Sequence, residues 1–363
     1  MSVFSAEPDA AREAAAIAFC RRFLSADGCP RYVLGTNSHA ASIAAAVEIE
    51  GFIDDFSDAP MFEGRPVART AQVPKDALVV SAVLGRVWTA RGRLEAVGLQ
   101  NLDYYAFRKH AGLAIENPFF WDDFAQEFQA NAAAFERLHD SLADETSRKT
   151  LRDIVNFRLS SNIDWMSGYT DCQDQQYFEP FLQLAAEAET FVDVGGFDGF
   201  TSEEFIRRCP GYAAVHLFEP ETSNMAMARS RLAPYRDVQF HQMGLCDRAQ
   251  TLRMSRTGST SRVSRAGELE IALDRLDAVV EGPVTFIKMD VEGAERPAIA
   301  GAARLIGRDS PRLAIAAYHR ADDFHRLAEQ VLAINGNYDL YLRHYTECRD
   351  ETVLFFVPKG LRR

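Results

Sequence analysis

Apolar positions along the chain form two stretches of short buried runs, separated by a stretch with helical spacing only. Residues 8–26 carry a helical period, and Gly28 is placed to stop it. Tyr32-Val33-Leu34 then forms a short apolar run, followed by the polar turn Gly35-Thr36-Asn37-Ser38 and an alanine-rich helix over 39–50. Gly51-Phe52-Ile53 is a second strand, closing on Asp54-Asp55, and Leu78-Val79-Val80 is a third. A further helix is predicted over 86–97. Strand, loop, helix and strand in this order open a Rossmann-like sheet.

From 117 to 188 the strand signal disappears. Phe124, Phe128 and Phe135 recur at helical spacing, as do Leu151, Val155 and Leu159. A second α/β alternation begins at Thr190, with strands predicted over 191–194, 214–218, 238–240, 285–289, 313–317, 339–342 and 353–357. Five parallel-type units followed by two closely spaced strands predict an open seven-stranded sheet whose last strand runs antiparallel. The expected organisation is a smaller Rossmann-like α/β domain over 1–112, a helical connector over 113–188 and a second α/β domain over 189–363.

Composition narrows the function classes. Acidic residues outnumber basic ones, 52 to 40, for a net charge of −12. Such a field disfavours binding to a nucleic-acid backbone and leaves a small molecule as the easier substrate. The six cysteines are scattered without a C-x-x-C pair, which argues against a zinc module and a disulfide framework. The first residues lack a signal-peptide pattern and no run is long enough to span a bilayer, so a cytoplasmic protein without membrane contact is expected. A homo-oligomer stays open.

The glycine-rich turn Val194-Gly195-Gly196-Phe197-Asp198-Gly199 directly follows a buried strand and precedes a helix. Glycines there would let the backbone approach a ligand. The next strand ends at Glu219, a carboxylate suited to the two ribose hydroxyls of an adenosine cofactor. Asp193 and Asp198 bring negative charge to the turn, which repels a pyrophosphate but suits a sulfonium, and this favours S-adenosylmethionine over NAD. Asp290 and Glu292 follow the fourth strand of this domain. His319, after the fifth, is the expected general base for a hydroxyl acceptor. Asp290, Glu292, His319 and His344 would also make a divalent-metal set, an alternative without a spacing rule behind it.

In this order the stretches FVDVGGFDGFTS (191–202), LFEPE (217–221), LDRL (273–276), IKMDVEGAE (287–295) and YLRHYTECRDETVLFFV (341–357) resemble the FkbM family of methyltransferases. The resemblance covers about half of the chain. It implies a class I methyltransferase fold, S-adenosylmethionine as methyl donor and O-methylation, often of sugars or natural-product scaffolds. It further implies that Asp193, Gly195 and Gly196 line the methionine part of the cofactor, Glu219 the ribose and Gly244-Leu245 the adenine. Asp290 would face the reacting centre, with Glu292 beside it. Tyr177 and Phe178 would cover the cofactor. Phe197-Asp198-Gly199 departs from the Asn-Ile-Gly usual in the family. The hydroxyl-rich stretch 255–264 is expected to be a mobile substrate loop. The expected acceptor is a sugar, nucleotide-sugar or glycan precursor, bound or docked by the first domain. A non-catalytic nucleotide- or sugar-binding scaffold and an NAD(P)-dependent oxidoreductase are the competing functions.

Overall fold

The computed structural model describes residues 3–4, 10–25, 28–121, 123–255, 262–263 and 269–361. The chain divides into two compact units. One comprises Met1–Ala130, Lys149–Gln173 and His344–Asp350; the other comprises Asn131–Arg148, Asp174–Arg343 and Glu351–Arg363.

The first unit is built on strands β1 (Arg31–Leu34), β2 (Gly51–Ile53), β3 (Met61–Phe62), β4 (Arg65–Ala68), β5 (Leu78–Ser81) and β6 (Gln100–Asp103). They form one sheet in the order β3-β4-β2-β1-β5-β6. All pairings are parallel except the β3–β4 hairpin. Val33, Phe52, Ile53, Leu78, Val79 and Val80 are wholly buried, as strands covered on both faces require. The helix after β1 is Ser38–Ala46, shorter than the predicted 39–50. Asn37 caps its start by accepting the Ala40 N–H at 2.9 Å. By Glu50 the backbone already donates to the Arg31 carbonyl, so the chain has left the helix to align with β1. The β3–β4 hairpin and β6 were not anticipated. Gln-Asn-Leu-Asp makes a polar edge strand with no apolar period to betray it.

Residues 344–350 belong to this unit although they join two strands of the other. His344 stands edge-on to Tyr169 with ring centroids 5.2 Å apart. Glu347 accepts both the Thr89 N–H at 2.9 Å and the Thr89 hydroxyl.

The second unit contains β7 (Thr190–Val194), β8 (Ala214–Phe218), β9 (Val238–His241), β10 (Gly244–Leu245), β11 (Gln250–Ser255), β12 (Arg262–Val263), β13 (Leu269–Asp274), β14 (Phe286–Met289), β15 (Arg312–Ala316), β16 (Tyr338–His344) and β17 (Thr352–Pro358). Seven of them form a sheet in the order β16-β17-β15-β14-β7-β8-β9. β17 lies antiparallel to β15, while β15, β14, β7, β8 and β9 pair in parallel. The predicted doubly wound sheet with an antiparallel last strand is therefore present. Phe191, Phe205 and Phe286 are fully buried in its core. The Phe191 ring lies 4.5 Å from that of Phe205 and 5.0 Å from that of Phe286.

A four-stranded sheet, β10-β13-β11-β12, was missed. Its signal was present: Leu269, Ile271 and Leu273 alternate with Glu270, Ala272 and Asp274, the period of a half-buried strand. The expected substrate loop over 255–264 lies mostly outside the described residues, and its described part belongs to β11 and β12. Among the described residues no helix is long and apolar enough to cross a membrane.

Replacing Phe286 by Ala should cost about 3–5 kcal/mol of stability, because it empties a stacked aromatic cluster that cannot collapse without moving the sheet. Denaturant unfolding checks this, and a loss below about 1 kcal/mol would mean that the core relaxes around the vacancy.

Candidate active site

The carboxyl ends of the parallel strands β7, β8, β14 and β15 carry most of the residues singled out in the sequence. In an open parallel sheet this edge is where ligands bind.

β7 and β14 are in register with Asp193 opposite Lys288. Asp193 is fully buried and Lys288 nearly so. The Lys288 ammonium lies 3.2 Å from Asp193 Oδ1, donates to the Gly195 carbonyl at 2.7 Å and stands 5.3 Å from the Tyr177 ring centre. Asp193 Oδ2 accepts the Ser202 hydroxyl at 2.8 Å. Burial makes an unpaired charge prohibitive, so this lysine and aspartate exist as a pair. Asp198 is also neutralised, by Arg231 at 2.6 Å. The expectation that these two aspartates present free negative charge to a sulfonium is thus overturned: both are spent on holding the turn. Lys288 was missed, although a lysine inside the apolar run Phe286-Ile287-Lys288-Met289 signals a buried partner.

The glycines serve the chain itself. Gly195 has a left-handed backbone (φ 77°), and a Cβ there would run into the Asp290 carbonyl oxygen. A Cβ on Gly196 would come within 2.5 Å of the Leu217 side chain. They let the turn after β7 lie against the ends of β14 and β8.

Glu219, at the end of β8, is 7% exposed. Its carboxylate accepts the N–H groups of Phe197 at 3.1 Å and Glu221 at 2.9 Å, and burial pushes its pKa up. It therefore links the glycine turn to the next helix. Gly244 and Leu245 form β10, beside β13, with the Leu245 side chain buried.

Asp290, Glu292 and His319 come together. Tyr177 donates its hydroxyl to Asp290 Oδ2 at 2.7 Å, so this buried ring anchors the carboxylate. Burial and the Asp290 charge push the Tyr177 pKa far up. Phe178 packs against Phe286. His319 Nε2 lies 3.6 Å from Asp290 Oδ1 and 3.7 Å from Glu292 Oε2. On its other side His319 Nδ1 donates to Glu295 Oε1 at 2.9 Å. Glu295, a residue absent from the sequence-based set, also accepts the Val291 and Gly293 N–H groups. Tyr318 reaches Asp290 and Glu351 at 3.4–3.5 Å.

Burial alone would lower the His319 pKa. The hydrogen bond to Glu295 and the charges of Glu295, Asp290 and Glu292 outweigh it and raise the pKa to about 10. In this arrangement His319 is held as an imidazolium among carboxylates, a form with no lone pair to accept a proton.

Among the described residues, one ligand atom each from Asp290, Glu295 and His319 lies within 4.8 Å of the others. His344 is not in that set. It lies in the first unit, buried, with Nε2 3.3 Å from the Thr346 hydroxyl, and burial together with the Arg158 charge lowers its pKa to about 3.

Residues 193–345 match the family model described as Methyltransferase FkbM domain. The structure of Methyltransferase FkbM from Methylobacillus flagellatus KT superposes with a TM-score of 0.75 at 24% identity, covering 94% of this chain and 92% of that one, a likeness in fold. An rRNA methylase from Streptococcus thermophilus is more distant, with a TM-score of 0.34, 13% identity and coverage of 54% and 93%. Fibrillarin from Aeropyrum pernix, solved with natively bound S-adenosyl-L-methionine, gives a TM-score of 0.32, 15% identity and coverage of 48% and 69%. No curated protein matches the sequence.

Two measurements test the site's electrostatics. Lys288→Met should cost about 3–5 kcal/mol in urea unfolding by leaving Asp193 buried and unpaired, and adding Asp193→Asn should restore most of it. A single variant as stable as wild type would show that the pair does not hold the turn. In EDTA-treated protein, NMR of the His319 ring nitrogens should report a protonated ring at pH 8, titrating near 10 and not at the ordinary 6.5. A raised folded-state pKa stabilises the fold fully below the unfolded value, and this contribution is lost as the pH rises through about 10.

Proposed function

We propose, for a chain whose residues 193–345 carry a methyltransferase FkbM domain, that it transfers the methyl group of S-adenosylmethionine to a hydroxyl oxygen of a small, sugar-like acceptor. The observation that supports this reading is the convergence of the glycine turn, Glu219, Asp290 and His319 at the carboxyl ends of neighbouring parallel strands.

The residues fit the cofactor. Glu219 is a buried carboxylate whose raised pKa reports too little solvation, and two ribose hydroxyls would supply it with donors. Phe197 and Phe200 expose 59% and 42% of their surface on and just after the same turn, apolar area that a nucleoside can cover. When bound, S-adenosylmethionine supplies an electrophilic methyl on a positively charged sulfur. Asp290 and Glu292 offer that charge a favourable field.

Methyl transfer needs the acceptor oxygen, methyl carbon and sulfur in line, and holding them so supplies a large share of the acceleration. Asp290 would take the acceptor's hydroxyl proton, leaving the oxygen free to attack the methyl group that a bound S-adenosylmethionine would supply. Tyr177 holds this carboxylate in one orientation. His319, as an imidazolium, steadies Asp290 and Glu292 and balances their charge. The first unit recognises or docks the acceptor. A cleft of about 610 Å³ in that unit is lined by Arg12, Arg22, Arg91 and Asn101 together with Glu95 and Asp103, donors and acceptors that a sugar-like acceptor can use.

Calorimetric titration with S-adenosylhomocysteine tests the reading. Wild-type protein should bind in the micromolar range, and Glu219→Ala should weaken binding by about 10- to 100-fold, the loss of one or two hydrogen bonds to a charged group. Absence of binding to wild type would remove the methyltransferase reading, and an unchanged Glu219→Ala affinity would remove the ribose assignment. Binding makes a screen of sugars and nucleotide-sugars for methyl acceptance the next step.

A further inference from the structure

We propose that Arg320 binds an oxyanion, a carboxylate or a phosphate, carried by the acceptor, and so selects an anionic sugar over a neutral one. This deepens the methyltransferase reading and rests on it for its role, although the anion site itself does not need the cofactor.

The first observation is that this guanidinium is uncommitted. Arg320 is exposed, and its side chain makes one hydrogen bond, from Nε to the Gly293 carbonyl at 2.7 Å. Among the described residues no carboxylate pairs with it. The other cations at this edge are spent, for the Lys288 ammonium lies 3.2 Å from Asp193 and His319 Nδ1 lies 2.9 Å from Glu295. Carboxylates are at hand, since Glu292 adjoins Gly293, yet the Glu292 carboxylate is turned to His319 Nε2 at 3.7 Å. With 52 acidic residues against 40 basic ones, the chain does not lack groups that could neutralise Arg320.

The second observation is that the side chain is held in place. The Arg320 backbone N–H donates to Oδ2 of the buried Asp323 at 2.7 Å, which fixes the main chain. Gly293 has a left-handed backbone (φ 90°), and a Cβ there would stand 3.4 Å from Arg320 Nε, so a glycine lets the guanidinium come up to the turn. Part of the rotamer freedom that an arginine loses on binding is therefore already lost. Anchoring through Nε leaves both terminal nitrogens as a planar fork, the shape that takes two oxygens of one carboxylate or phosphate together.

Position gives the fork its role. Arg320 follows His319, and its anchor Gly293 follows Asp290 by three residues, at most about 11 Å of backbone. In the proposed reaction Asp290 stands beside the acceptor hydroxyl, so the fork meets a charge on the same or a neighbouring sugar unit. The acids around His319 repel a bare anion, which favours a ligand whose hydroxyls also meet Asp290.

The test is NMR of the arginine Nε–H signals in full-length protein saturated with S-adenosylhomocysteine, with the Arg320 signal identified by its absence from Arg320→Lys. D-glucuronate and D-glucose 6-phosphate are the carboxylate and phosphate probes, and D-glucose is the neutral one. At least one anion should move the Arg320 signal saturably while D-glucose leaves it in place, and which anion does so tells carboxylate from phosphate. By calorimetry that anion should bind about tenfold or more weakly to Arg320→Gln, and about threefold more weakly to Arg320→Lys, which keeps the charge without the fork. The melting temperature and the affinity for S-adenosylhomocysteine should not change in either variant. The proposal is overturned if neither anion moves the signal, if D-glucose moves it equally, or if Arg320→Gln binds the anion as wild type does. If S-adenosylhomocysteine does not bind, the methyltransferase reading falls, and the same titrations on cofactor-free protein decide the anion site alone. A response there keeps the site, and no response removes it as well.

Discussion

Asp193 and Lys288 face each other across two buried parallel strands, and the candidate site is organised around that pair. Taking both charges out of water is expensive, and their attraction repays the cost only in a fixed geometry with the remaining hydrogen bonds made. Ser202 and the Gly195 carbonyl complete those bonds. The pair therefore does more than close the β7–β14 register. It ties the first turn of the following helix and the glycine turn to one point, with Tyr177 over the ammonium. Tyr177 in turn holds Asp290, so the ion pair in the sheet and the carboxylate at its edge belong to one continuous network.

Four of the ten described non-glycine residues with positive φ lie along this network. Tyr177, Phe197, Glu292 and Glu351 all adopt positive φ, at 73°, 46°, 53° and 63°. Side chains rarely accept that conformation, and each instance costs on the order of 1–3 kcal/mol, which the surroundings must offset. Tyr177 and Glu292 supply or adjoin contacts to Asp290 and His319, Phe197 gives its N–H to Glu219, and Glu351 accepts from Gln176 and Tyr318. These four carry polar groups aimed at the sheet edge, while other positive-φ residues, among them Glu63, Ser161 and Asp237, lie away from it.

The charges there obey a different logic from those in the sheet. Asp193 is cancelled by Lys288, and Asp198 by Arg231. Asp290, Glu292 and Glu295 share one imidazole, which leaves a net negative field. That residual charge suits a sulfonium and keeps the histidine protonated when none is present.

Local pattern was enough for the sheet. Short apolar runs alternating with helical periods predicted seven strands, the parallel character of the first five and the antiparallel return, though not their order in the sheet, because each buried strand announces itself in a few consecutive residues. Polar or edge strands such as β6 and β9 carry weaker signals, and the alternation of β11 and β13 was present but not weighed. For the site, the sequence by itself placed Glu219, Asp290 and His319 at the ends of predicted parallel strands, and so along one edge of a sheet. Only the tertiary structure decided what their charges do. Lys288 meets Asp193 through strand register, Glu295 meets His319 across a turn from one strand end to the next, and residues 344–350 go to the other unit. Protonation depends on burial and on distances between residues remote in sequence, and a one-dimensional pattern holds neither.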